Sequence, residues 1–219
     1  MKKIFYSTFV LLLIPSVSFI SGCKKAASVD GHVASVTING AVSTFTYDSQ
    51  GRLSTYSDVN GAITFSYSSN SVTVNSGGNA TIFPLNTSGY ASSNGGAVTF
   101  SYDNSGEWTT QIDNGTTTTY AYSNGDVTSE TQGNTTEASV TFLTTKDYRN
   151  YGIYFMGKNG VSFDGSNFYP LSVNLPNTAL AGTTTYQYSY TYDSKGRVST
   201  MTLTGGGATT TYVYTYTTN

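Results

Sequence analysis

The chain has 219 residues and a formal net charge of −2, and only 10% of its residues are charged. This length allows one large all-β domain or two small ones. The weak negative charge excludes nucleic acid as a partner, because nucleic-acid binding needs a clustered basic patch. With one cysteine and one histidine, the chain cannot form an internal disulfide or the usual zinc site of nitrogen and sulfur ligands.

Residues 1–22 have the three parts of an export signal. Lys2 and Lys3 form the positive start, residues 9–14 open an apolar core, and two small residues precede Cys23. The apolar stretch is shorter than the roughly 20 residues that a transmembrane helix needs. We therefore predict that this segment directs export and is then removed.

Cys23 ends the sequence Ile-Ser-Gly-Cys, which resembles the lipobox of bacterial lipoproteins. The resemblance implies lipid on the Cys23 sulfur, cleavage before this residue and acylation of the new amino terminus. Two or three acyl chains hold a protein stably on a membrane, whereas one chain holds it marginally. The alternative, an ordinary exported protein, would leave an odd free thiol. We predict a signal peptide at 1–22, a lipidated tether at 23–30 and one all-β domain at 31–219.

The residues after Cys23 indicate which membrane holds the protein. Lys24 and Lys25 follow, so the chain lacks both the aspartate that marks inner-membrane retention and the acidic cluster that marks surface export. We predict a lipid anchor in the bacterial outer membrane, with a periplasmic and a surface-facing position both compatible. Without Lys2 and Lys3, eight basic and twelve acidic residues remain, a net charge of −4.

From Val33 onward, short strand-like runs alternate with turns rich in Gly and Asn. In the clearest runs, aromatic and polar residues alternate, which places the aromatic side chains on one face of a strand and Thr or Ser on the other. These aromatic sets are Phe45/Tyr47, Phe65/Tyr67, Phe100/Tyr102, Tyr120/Tyr122, Tyr186/Tyr188/Tyr190/Tyr192 and Tyr212/Tyr214/Tyr216.

A repeated turn sequence predicts how the strands connect. Residues 47–53 (YDSQGRL) recur as 192–198 (YDSKGRV), with weaker copies at 102–108 and 122–127. Asp accepts hydrogen bonds from the amides of its own turn, and Gly adopts the left-handed conformation without a Cβ penalty. Because the hairpins follow one another closely, we predict a single antiparallel up-and-down meander.

These turns resemble the tyrosine–aspartate repeats of large Rhs-type bacterial proteins. The whole chain is similar to small lipoproteins of Bacteroides-like bacteria that have an uncharacterised domain with a porin-like fold. The similarity rests on the lipobox, residues 85–90, residues 174–176 and the closing hairpin. It implies a curved sheet or incomplete barrel and no activity. A true outer-membrane barrel is disfavoured, because these strands span roughly 6–8 residues and a bilayer needs about 9–11.

Residues 146–182 depart from the hairpin rhythm and are rich in aromatic side chains. We interpret this irregular segment as a plug for the open side of the sheet. The alternative is a ligand-facing segment whose aromatic rings serve as stacking platforms. Trp108 likewise packs in the core or presents a sugar-stacking surface. The candidates for ligand contact are Trp108, Tyr148, Tyr151, Tyr154, Phe155, Phe168 and Tyr169.

The residue types exclude most catalytic sites. A Ser-His-Asp or Cys-His site would have to use His32, close to the anchor, and calcium ligands such as Asp58 and Asp164 are scattered over separate turns. We therefore predict a non-enzymatic binding or scaffolding module without metal or cofactor, whose partner is a glycan or an envelope protein. The alternative is a glycan hydrolase that uses two carboxylates. Its candidates are Asp103, Glu107, Asp113, Glu130 and Glu137.

Overall fold

The computed structural model describes residues 31–146, 156, 161–163, 168–170 and 172–218. Cys23 and the tether lie outside the described residues, as do Tyr148, Tyr151, Tyr154 and Phe155. Among the described residues, no helix has the length and apolarity to cross a membrane.

The described chain consists of short β-strands joined by turns. They are β1 (Val33–Ile38), β2 (Ala41–Tyr47), β3 (Leu53–Asp58), β4 (Gly61–Tyr67), β5 (Ser71–Ser76), β6 (Asn79–Pro84), β7 (Val98–Tyr102), β8 (Trp108–Asp113), β9 (Thr116–Ser123), β10 (Asp126–Gln132), β11 (Thr135–Lys146), β12 (Val161–Phe163), β13 (Phe168–Pro170), β14 (Asn174–Ala181), β15 (Thr184–Tyr192), β16 (Val198–Gly205) and β17 (Ala208–Tyr216).

Fifteen of these described strands form one antiparallel sheet. Its order is β6-β5-β4-β3-β2-β1-β17-β16-β15-β14-β11-β10-β9-β8-β7, while β12 and β13 form a separate two-stranded sheet. Because β1 pairs with β17, the two ends of the described chain meet in the middle of the large sheet. The predicted all-β, up-and-down antiparallel fold is confirmed.

The two edge strands, β6 and β7, are joined by the chain that connects them. Ser92 donates its amide hydrogen to the Pro84 carbonyl on β6 at 2.8 Å, and Phe100 on β7 donates to the Ser92 carbonyl at 3.0 Å. The rings of Phe83 and Phe100 stack across the gap, with centroids 6.5 Å apart. The sheet is thus an incomplete barrel, and we call residues 91–95 with the two facing edges the seam.

The two ends of the sheet have different turns. One end, which we call the tight-turn rim, has two-residue turns such as Asn39-Gly40, where both residues have positive φ (50° and 87°) as hairpin turns of this length require. The other end has the Asp-x-x-Gly turns at 48–51, 103–106 and 193–196. Both chain ends also lie at this second end, which we call the tyrosine rim.

Alternation along each strand separates an apolar interior from a polar exterior. In β2, Phe45 is buried and its neighbours Thr44 and Thr46 are exposed. Buried side chains from most strands form one core cluster. On the outer face, hydroxyl pairs link neighbouring strands, as Ser35 and Thr215 do at 2.7 Å. The core alone therefore holds the described strands together, as expected of a chain without disulfides.

Residues 146–182 are more regular than we predicted. β11 continues to Lys146, and β14 is a full strand of the large sheet. Pro176 within β14 hid this strand in the sequence, because proline cannot donate to a ladder and sits in strands at irregular positions. It pairs with Phe142 at a register shift. Met156 is fully buried in the core cluster, as the plug interpretation requires at that position.

Leu53 and Leu180 provide a matched test of where the stabilising core lies. Leu53 is 2% exposed and Leu180 is 44% exposed. We expect Leu53→Ala to lower the free energy of unfolding by about 2–5 kcal/mol, since it leaves a cavity in the core. Leu180→Ala should change it by less than about 1 kcal/mol. Urea denaturation measures both values, and equal losses would contradict the assignment of the inner face.

Candidate functional site

Tyrosine hydroxyls close six hairpins of the described chain at the tyrosine rim. In the first hairpin, Tyr47 at the end of β2 donates its hydroxyl hydrogen to the carbonyl of Val33, which begins β1. We call this contact the tyrosine clasp. The six pairs, all at 2.7–2.8 Å, are Tyr47–Val33, Tyr67–Leu53, Tyr102–Ala91, Tyr122–Trp108, Tyr190–Pro176 and Tyr216–Val198.

The side chain before the clasp acceptor often covers the tyrosine ring. Arg52 places its guanidinium carbon 4.2 Å from the ring centroid of Tyr67 and pairs with the Asp48 carboxylate at 2.7 Å. Arg197 repeats the two contacts at 4.1 and 2.7 Å. Desolvation raises the pKa of Asp48, but the hydrogen bonds and charge of Arg52 outweigh it and hold that pKa below its usual value.

His32, the lone histidine, takes the corresponding position in the first hairpin. Its ring stacks on Tyr47 with centroids 4.2 Å apart. This contact makes His32 part of the clasp architecture. Within the described residues, no group of three or more His, Cys, Asp or Glu side chains could hold a metal ion.

A cleft of about 480 Å³ opens on the tyrosine rim beside the seam. Two turns form its walls, one beginning at Asn86 and the other at Asp103. The Asn86 Oδ1 accepts hydrogen bonds from two amides of its own turn at 2.9 and 3.0 Å. The Asp103 Oδ1 does the same at 2.9 Å. Each wall is therefore held in shape by its first side chain.

Two tyrosine rings line this seam cleft. Tyr90 and Tyr102 are both half-buried, with centroids 5.1 Å apart and planes tilted by 33°. Tyr102 uses its hydroxyl in the clasp with Ala91, and burial raises its pKa, so this hydroxyl keeps its proton. Tyr90 lies over Gly106, where a Cβ would come within 2.8 Å of the Tyr90 hydroxyl oxygen. Gly106 therefore serves both its turn and the position of Tyr90.

The candidates for ligand contact do not form one exposed cluster among the described residues. Trp108 is 2% exposed, and its indole N–H donates to the Thr110 carbonyl at 3.0 Å. It is a core aromatic and presents no stacking surface, because its hydrogen bond is satisfied inside the protein. Phe168 and Tyr169 belong to β13. The other four candidates lie outside the described residues.

The sequence did contain a signal for the cleft that we missed. Tyr90 precedes the clasp acceptor Ala91, as Arg52 precedes Leu53. The two members of this clasp are 11 residues apart, whereas most of the others are separated by 14. The shorter spacing and the lack of an aromatic alternation around Ala91 hid this copy of the repeat.

Of the candidate carboxylates, Glu130 and Glu137 come together on the neighbouring strands β10 and β11. Burial raises the pKa of Glu130 to about 7, and the charge of Glu137 adds to the shift. Asp103 and Glu107 share one turn at the tyrosine rim, while Asp113 lies beside a turn of the tight-turn rim. The Glu130–Glu137 pair does not line the seam cleft.

Comparison with known proteins supports the fold. The RHS Repeat family model matches residues 28–63, which include the Asp48 turn. A porin-like protein from Bacteroides uniformis ATCC 8492 is 17% identical, with a TM-score of 0.61 over 84% of this chain and 96% of that one. A porin-like protein from Bacteroides vulgatus ATCC 8482 is 11% identical, with a TM-score of 0.52 over 86% and 99%. No curated protein is significantly similar in sequence. The predicted resemblance, a porin-like fold with tyrosine–aspartate turn repeats, is confirmed.

Removal of one clasp tests its contribution. Tyr67→Phe deprives the Leu53 carbonyl of its hydroxyl donor, and we expect the free energy of unfolding to fall by about 0.5–1.5 kcal/mol. Tyr186→Phe is the control, because the Tyr186 hydroxyl has no hydrogen bond within the described part of the chain. Thermal and urea denaturation measure both variants. An equal effect of the two substitutions would show that the clasp hydrogen bond is not stabilising.

Proposed function

We propose that this chain is a lipid-anchored, non-enzymatic binding module of the bacterial outer membrane. The lipobox-like sequence at Cys23 supports the anchor. The described domain begins at Gly31 on the tyrosine rim, eight residues after Cys23. A tether of this length spans at most about 30 Å, so the tyrosine rim is the end of the domain nearest to the anchor.

The binding role rests on one observation, the seam cleft. It is a concave surface with aromatic rings and a few polar groups, which is the usual composition of a small-molecule site. The charge of the chain disfavours nucleic acid, so a glycan or an envelope protein is the proposed partner. A scaffolding role would use the same surface to hold such a partner near the membrane.

A glycan hydrolase is the second candidate, and the Glu130–Glu137 pair favours it. Glycosidases keep one carboxyl protonated near neutral pH while its partner is ionised. Burial gives Glu130 a pKa of about 7, which fits the protonated role. We rank this candidate second, because the pair lies apart from the seam cleft.

The anchor is tested with Cys23→Ala in the bacterial host. We expect the parent protein to incorporate labelled palmitate and to sediment with the outer membrane. The variant should lose the label and appear in the soluble fraction, since the sulfur that accepts the lipid is gone. Lys24→Ala serves as the control and should behave as the parent. An unlabelled parent, or a variant that stays with the membrane, would contradict the anchor.

Glu130→Gln tests the second candidate through pH dependence. The ordinary pKa of a glutamate is 4.5, and burial raises that of Glu130 to about 7. Between these two values the folded protein binds a proton that the unfolded chain has lost, so stability falls as pH rises through this window. We expect the melting temperature of the parent to fall more between pH 5 and 8 than that of Glu130→Gln, by about 2–4 °C for each kcal/mol.

Asp113→Asn, an exposed site on another strand, is the control and should keep the parent's pH dependence. The same proteins are incubated with neutral oligosaccharides, and new reducing ends are measured. Release by the parent and its loss in Glu130→Gln would establish the hydrolase. A parent that releases nothing would remove this candidate and leave the binding module.

A further inference from the structure

We propose that the seam cleft binds a short, uncharged oligosaccharide. This inference rests on the proposed binding role and adds its place and its ligand class. The cleft volume of about 480 Å³ lies within the range of roughly 300–1,000 Å³ that small-molecule sites occupy. It is open to the outside at the tyrosine rim, so a chain of sugars can enter it from one end.

The ring of Tyr90 is the stacking surface. Sugar rings have an apolar C–H face that packs on aromatic rings, while their hydroxyl groups bond at the edge. Tyr90 lies against Tyr102 on one side and has its edge over Gly106. These contacts hold the ring in place before a ligand arrives, which lowers the entropy cost of binding.

The walls of the cleft offer hydrogen-bonding groups that no described residue uses. Asp103 spends only its Oδ1 on the turn, and its Oδ2 has no partner within the described chain. The side chains of Ser88, Asn104 and Ser105 line the same cleft and likewise make no hydrogen bond to described residues. A carboxylate oxygen accepts sugar hydroxyl hydrogens, and an amide both donates and accepts.

The charges around the cleft select against acidic sugars. No Lys or Arg is among the residues that line it. Where two other copies of the turn end in Arg52 and Arg197, this copy ends in Glu107. A uronic or sialic acid would bring its carboxylate close to Asp103 without a cation to compensate, and like charges in one site are unfavourable. The ligand is therefore neutral.

The other turns provide an internal contrast. The Asp48 turn has the same backbone hydrogen bonds as the Asp103 turn, and Ser49 holds the position of Asn104. Arg52 covers the tyrosine ring there, so no aromatic face is left for a sugar. The repeat alone is not the site, and the cleft exists where the repeat changes at the seam.

Calorimetric titration of the exported chain with Cys23→Ala tests the inference. The probes are cellotetraose, maltotetraose and triacetylchitotriose as neutral oligosaccharides, and trigalacturonate as the acidic one. We expect at least one neutral probe to bind and trigalacturonate not to bind. Tyr90→Ala should weaken binding about tenfold or more, because the stacking surface is lost. Tyr90→Phe should stay within about twofold of the parent.

Asn104→Ala lies at an exposed turn position and keeps the test valid if Tyr90→Ala fails to fold. We expect it to weaken binding several-fold, while Ser49→Ala, at the equivalent position of the Asp48 turn, leaves binding unchanged. Binding that survives both cleft substitutions would overturn the site. Binding of trigalacturonate, or of none of the neutral probes at millimolar concentration, would overturn the ligand class. An envelope protein that still binds this chain would then leave the wider proposed function standing.

Discussion

The hydrogen bond from a tyrosine hydroxyl to the opening carbonyl of its own hairpin organises the rest of this structure. At the tyrosine rim, the last residues of one strand and the first of its partner must meet beside the core, where a carbonyl without a donor is costly. The tyrosine ring fills the apolar layer and its hydroxyl reaches that carbonyl, at 2.8 Å for Tyr67 and Leu53. Burial raises the pKa of Tyr67, so the hydroxyl remains a donor. The clasp therefore combines core packing and polar satisfaction in one side chain.

The cleft arises where this regular arrangement is shortened. In the regular copies, the strand that holds the clasp acceptor is long enough to pair fully with both neighbours. At the seam, the acceptor Ala91 begins a stretch with only single bridges to β6 and β7. The ladder therefore has a gap, and the rings of Tyr90 and Tyr102 line the space next to it. The candidate site is thus a local departure from a repeat that elsewhere fills its own interior.

Much of the fold could be predicted from the sequence, because alternating Tyr and Thr, together with Asp-x-x-Gly turns, are local patterns. Each predicts a strand or a turn from a few residues. The pairing of β1 with β17 is not local, and no pattern near Val33 or Tyr216 reports it. β14 was missed for a different reason, since Pro176 and a register shift broke its alternation.

The candidate site could be predicted only in kind. The sequence indicated that aromatic rings would face a ligand, but it did not indicate which rings remain accessible. Trp108 looked suited to a sugar, yet it begins β8 at a clasp position and is buried there. Accessibility depends on how strands from distant parts of the chain enclose a ring. Tyr90 remains half-buried because its strand is short, a property that depends on the whole sheet.

The rim that holds both ends of the described chain has a consequence for how such a protein changes in size. Each repeat is a pair of strands that leaves the tyrosine rim and returns to it, so every clasp closes a unit of even strand number. Duplication or loss of one unit would alter the circumference of the sheet without moving the first or last residue to the opposite rim. The attachment point is therefore independent of repeat number, and genes encoding such chains can lengthen or shorten by whole hairpins while the domain keeps its orientation toward its tether.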